Sequence, residues 1–177
     1  GIESDPNVLS VYGTGMTSVP WLAVEKPAGS PLKAQADELS TDDIIAALQH
    51  VCDGLHHVSR YGSLYKHLTT ESIYYADGDL SLRGVLDEFE SEAPWYNAPE
   101  EFDGESTEQT LVYRLGVVAY ELLTGALPYA DYPTADPKQA IETNQISPPS
   151  EQVSGLPAAL DEVLLKALSK DTEDRFE

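Results

Sequence analysis

Residues 111–123, Leu-Val-Tyr-Arg-Leu-Gly-Val-Val-Ala-Tyr-Glu-Leu-Leu, are apolar on nearly every side. Coiled as a helix, such a segment has no face to give to water, so it belongs in the middle of a domain rather than on its surface. It is interrupted by Arg114 and Glu121 and is too short to cross a bilayer. Gly125 is a fitting stop. A chain of 177 residues suits one domain built around such a centre.

The flanking segments have a different character. Residues 7–13 and 20–25 are short, β-branched or aromatic, and bounded by Gly, Thr, Ser and Pro; they read as two strands joined by a turn. A short helix is expected within 27–40. Ser40-Thr41-Asp42-Asp43 then makes a good helix start, with a hydroxyl cap and first-turn carboxylates. From there Ile44, Ile45, Leu48, Val51, Cys52, Leu55 and Val58 form one apolar stripe, and Gly62 ends the helix. Residues 64–86 read as a loop and a small hairpin turning at Asp77-Gly78-Asp79. A weak helix near Asp136–Asn144 and an amphipathic one over Pro157–Ser169 complete the reading. Two strands followed mostly by helices indicate an α+β class.

Acidic residues outnumber basic ones 31 to 10, for a net charge of −21. They are interleaved with apolar residues along the chain, which argues against a disordered acidic tail. Repulsion on this scale opposes a compact fold in dilute buffer, whereas molar salt shortens the Debye length to about 3 Å and removes most of it. The pattern fits a salt-loaded cytoplasm, as in halophiles. Nucleic acid and anionic membrane are excluded as partners of such a surface, because binding them rests on Lys and Arg. Cys52 is alone, so no disulfide framework exists, and its apolar neighbours make it an inert core residue. His50, His56 and His57 do not space into a metal site with it. No signal peptide or membrane span is visible, and a cytoplasmic domain is expected.

Asn97-Ala98-Pro99-Glu100, the central segment from Leu111 to Gly125, and Lys170-Asp171-Thr172-Glu173-Asp174-Arg175 together resemble the large lobe of the eukaryotic-type protein kinases. On that resemblance Val8–Gly13 and Trp21–Glu25 look like the last two small-lobe strands and Glu25–Ser30 like the hinge. Thr41–Tyr61 resembles the long helix before the catalytic loop, and Leu64–Ile73 sits where that loop lies. Leu80–Leu86 covers the metal-binding strand and turn, and Trp95–Glu100 closes the activation segment. The implied division is a small-lobe remnant and hinge over 1–30 and a mainly helical large lobe over 31–177, in a protein-kinase-like α+β fold. On that resemblance the first strand looks like the family's fourth, so the family's glycine-rich loop and phosphate-binding lysine fall outside this sequence.

The resemblance also shows what has changed. Phosphoryl transfer needs a carboxylate near the nucleophile, metal ions between phosphates and a lysine on the nucleotide. At the family's base stands His67, which can accept a proton but gives no fixed negative charge. At its Mg²⁺-binding asparagine stands Ser72, a weaker oxygen ligand, and at its metal-binding aspartate stands Gly84, which has none. Asp87 could substitute only in a rebuilt loop. In the hinge, Val24 is the gatekeeper, followed by Glu25, and Pro27 stands where an N–H normally meets adenine, though proline has none. Leu111 replaces the aspartate that clamps the catalytic loop. Glu100 and Arg175 fall where the family has a buried ion pair, which needs both members.

These residues imply a pseudokinase: a kinase-like large lobe without effective phosphoryl transfer, serving as a protein-binding or regulatory module. No cofactor or metal is expected on that reading. Two alternatives stand beside it: an active serine/threonine kinase using ATP and Mg²⁺ through unusual residues, and an ATP-binding sensor without transfer. The expected partner is a protein, docked on the acidic activation segment or on the helices after Gly125. A homodimer through residues 7–25 is expected as well, because the strands there leave an unpaired edge.

Overall fold

A computed structural model describes residues 7–18, 20–59, 68–76, 78–83, 93–132 and 134–177. The chain opens with an antiparallel ribbon, β1 (Val11–Met16) and β2 (Pro20–Val24), in which Gly13 faces Ala23 and Gly15 faces Trp21. The strand expected over 7–13 is in fact split. Asn7–Leu9 leaves the ribbon and runs parallel to the strand that ends at Leu82, with Leu9 N–H donating to Leu82 O (3.1 Å) and Leu82 N–H to Asn7 O (2.8 Å). Gly13 and Gly15 both lie inside β1, where the Trp21 ring lies over Gly15; a Cβ there would sit 2.4 Å from the indole.

After the ribbon comes β3 (Ser30–Pro31) and a short 3-10 helix over Leu32–Glu38. The long helix α1 (Thr41–Ser59) starts on a reciprocal cap, with Asp43 N–H donating to Ser40 Oγ (3.2 Å) and Ser40 N–H to Asp43 Oδ2 (3.1 Å). Gly62, its expected stop, lies outside the described residues. Its buried stripe is Ile44, Ala47, Val51, Gly54, Leu55 and Val58. Cys52 stands one residue off that stripe, about 100° round the helix, and is exposed rather than in the core.

The hairpin of β4 (Ile73–Ala76) and β5 (Asp79–Leu82) joins β3 in an antiparallel sheet ordered β3-β4-β5. Gly29 makes the entry to that sheet possible. Its φ is +71°, and a Cβ would lie 2.1 Å from Tyr75 O.

The segment that is apolar all round becomes α2 (Glu108–Thr124), ending at Gly125. Tyr113, Val117, Val118 and Tyr120 on it are at most 1% exposed. Around it lie α1, α4 (Pro149–Gln152) and α5 (Ala158–Ala167), while α3 (Pro137–Thr143) lies beside the turns over 94–103. Tyr120 OH ties α2 to this outer layer, donating to Ser147 O (3.0 Å) and accepting from Gln152 Nε2 (2.7 Å). Asp136 caps α3, and Pro157 is the residue before α5 rather than within its first turn. The expectation of a mixed fold with helices in the majority holds. Among the described residues no helix is long and apolar enough to cross a membrane.

Candidate functional site

Two adjacent carboxylates bind two buried arginines. Ala98 is fully buried, and its N–H donates to Glu101 Oε2 (2.8 Å), tightening the 3-10 turn over Pro99–Asp103. Glu101 in turn accepts a bidentate grip from Arg114 of α2, Nε at 3.0 Å and Nη2 at 2.8 Å, while Arg114 Nη2 also donates to Asn97 Oδ1 (2.6 Å). Glu100, on the other side of the turn, meets Arg175 from the chain end. Arg175 Nη1 donates to Oε1 (2.7 Å) and Nη2 to Oε2 (2.9 Å). Its remaining donors go to the carbonyls of Gln109, Lys170 and Ser169, and its guanidinium lies over the Tyr113 ring at 4.9 Å.

Burial works against ionisation of Glu100. The hydrogen bonds from Arg175, from its own amide and from Thr110 Oγ1 (2.7 Å) outweigh it and hold the carboxyl below the usual glutamate range. Leu111, next along α2 and half-buried, offers the loop no carboxylate.

The loop before β4 is held by a different carboxylate. Thr70 is fully buried and donates from Oγ1 to Glu121 Oε2 (2.9 Å); Tyr96 OH donates to the same oxygen, and Lys33 Nζ lies 2.7 Å from Oε1. Burial first, and then the hydrogen bond to Glu121, push the Tyr96 phenol far up, so it stays a donor. The same ion pair raises Lys33, by its hydrogen bond to Glu121. Glu121 therefore joins α2 to the loop, to the turn at 94–96 and to the 3-10 helix over Leu32–Glu38.

Ser72 closes the loop itself. Its hydroxyl donates to Thr69 O (2.8 Å) and accepts from Thr69 N–H (3.1 Å), and the residue is 2% exposed. That oxygen is buried, faces inward and is engaged twice by Thr69, so its placement does not suit a metal ligand. His67 and Gly84 lie outside the described residues, as do Asp87 and the rest of 84–92. No chemical step can be drawn through Mg²⁺ from this residue set.

The hinge positions are not gathered into one site. Glu25 is tied to the segment before β1, its N–H donating to Ser10 O (2.7 Å) and its Oε2 accepting from Ser10 N–H (3.1 Å). It lines a cleft of about 780 Å³ with Leu9, Lys26, His50 and Asp79. Val24 is exposed and Pro27 half-buried, and neither lines that cleft. His50 and His56 are exposed, and among the described residues no group of three His, Cys, Asp or Glu is placed to hold a metal ion.

Sequence reasoning took Arg114 and Glu121 only as interruptions in an apolar run. They are 6% and 5% exposed and organise both carboxylate sites. The signal was present: a charge on a helix with no wet face must find a partner of opposite sign. Lys33, Glu101 and the Thr70–Tyr96 pair were missed for want of such a pointer.

Comparison with known proteins agrees with this architecture. Residues 3–177 match the family model described as protein tyrosine and serine/threonine kinase. The serine/threonine-protein kinase Pkn1 of Myxococcus xanthus is 30% identical over 191 residues, covering 96% of this chain and 28% of that protein. PknB of Mycobacterium leprae is 27% identical over 200 residues, covering 97% and 31%. The chain thus spans under a third of the length of these relatives. A crystal structure of the Mycobacterium tuberculosis PknI kinase domain, in a cysteine-to-alanine mutant form, superimposes with a TM-score of 0.77 at 23% identity, over 98% of this chain and 67% of that one. With a family match along nearly its whole length, a fold neighbour and a central helix whose buried Arg114 and Glu121 both find partners, this chain belongs to the protein kinase family.

Proposed function

We propose that this domain keeps the kinase fold as a protein-binding or regulatory module and does not transfer phosphate effectively. The observation that carries this reading is Ser72, whose buried hydroxyl is turned inward onto Thr69 at the position where the family resemblance puts a magnesium ligand. The sequence adds His67, Gly84 and Pro27, each lacking the group that phosphoryl transfer or adenine binding would use there. What remains strong is the scaffold: Glu100–Arg175, Glu101–Arg114 and the Glu121 hub all stabilise shape. The partner is a protein, received on the acidic segment before Glu100 or on the helices after Gly125.

A second reading has its own support. The relatives carry the names of serine/threonine kinases, which favours an active enzyme working through unusual residues with ATP and Mg²⁺. One experiment separates the readings: thermal melting of the full chain with ATP, with and without Mg²⁺, alongside transfer of labelled phosphate to a protein substrate. The binding module predicts no shift and no transfer. A metal-independent shift without transfer indicates a nucleotide sensor. Mg²⁺-dependent transfer abolished by His67→Ala would establish the enzyme and overturn the proposal.

A further inference from the structure

We draw no further inference here: the strongest candidate, the cleft of about 780 Å³ between Leu9, Glu25, His50 and Asp79, is walled by Asn7 and Gly78, each next to residues outside the described set, and nothing in the structure shows what covers it.

Discussion

Arg175 closes on both carboxylate oxygens of Glu100 from 75 positions away, and its side chain is wholly removed from solvent. Such a pair is a mutual dependence more than a net gain in stability, since desolvation offsets much of the attraction. Its loss is costly because the survivor keeps its charge and loses its partner. Arg175→Ala is expected to lower the unfolding free energy by about 3–5 kcal/mol, measured by urea denaturation in molar KCl. Glu100→Ala should cost about as much, and the double variant far less than the sum. Additive losses would mean that the two residues act separately. Arg175→Lys should recover little, because an ammonium cannot span two oxygens and three carbonyls.

The same pair sets an acid limit. The folded carboxyl of Glu100 lies below its unfolded value, so the stability it provides is fully present above that unfolded value, about pH 4.3, and is lost as pH falls through the lower folded one. Many other carboxylates titrate in that window, so the useful quantity is a difference. The stability gap between wild type and Glu100→Gln should be constant from pH 7 to about pH 5 and shrink steadily below about pH 4. A gap unchanged down to the acid transition would remove the linkage.

Glu121 should prove the more sensitive of the helix charges towards the loop. The Thr70 and Tyr96 hydroxyls lie 3.0 Å apart and can bond to each other, so alanine there leaves one buried donor between them without an acceptor, at about 1–3 kcal/mol. Tyr96→Phe removes one donor and should cost about 1 kcal/mol. Lys33 is 47% exposed, so water can replace its ammonium and Lys33→Ala should stay within about 1 kcal/mol. Chemical denaturation of the three variants checks the order Glu121→Ala, Tyr96→Phe, Lys33→Ala. The reverse order would show that the ion pair, rather than the hydroxyl network, holds the loop.

What the sequence made legible follows from where its signals are local. The α2 segment declared its burial through composition alone, and Ser40 with Asp43 declared the start of α1. Glu100 and Arg175 were legible only through the family resemblance, since nothing local links positions so far apart. Cys52 was misplaced because a heptad-wide apolar stripe has soft borders, and one residue's rotation separates core from water. The split of 7–13 was hidden because Val8 and Val11 have the same β propensity, and only partner geometry sends one to Leu82 and the other to Val24. Ser72 was read as a weak metal ligand; its turn with Thr69 is a four-residue detail that composition does not announce.

Gly29 and Gly104 offer a controlled pair for backbone strain. Both have positive φ, +71° and +84°, but a Cβ at Gly29 would collide with Tyr75 O whereas nothing lies within 4 Å of one at Gly104. Gly104→Ala should therefore cost only the left-handed conformation, about 1 kcal/mol. Gly29→Ala adds displacement of β4 and should cost about 3 kcal/mol or more. Equal losses in urea denaturation would show that the approach to Tyr75 relaxes freely.

Salt should stabilise this domain strongly. The described ion pairs use few of the carboxylates: Glu100, Glu101, Asp103, Glu121 and Glu142. Most of the excess negative charge, −21 in all, is therefore held against its own repulsion. At low ionic strength the Debye length exceeds the spacing of these groups; at 1 M it falls to about 3 Å and leaves the contacting buried pairs least affected. The melting temperature is expected to climb steeply as KCl is raised from millimolar to about 1 M and then to flatten once screening is complete. Sucrose at matched osmolality should reproduce little of the rise, because it acts by exclusion and not by screening. A melting temperature indifferent to KCl, or raised equally by sucrose, would mean that the acidic surface does not govern stability.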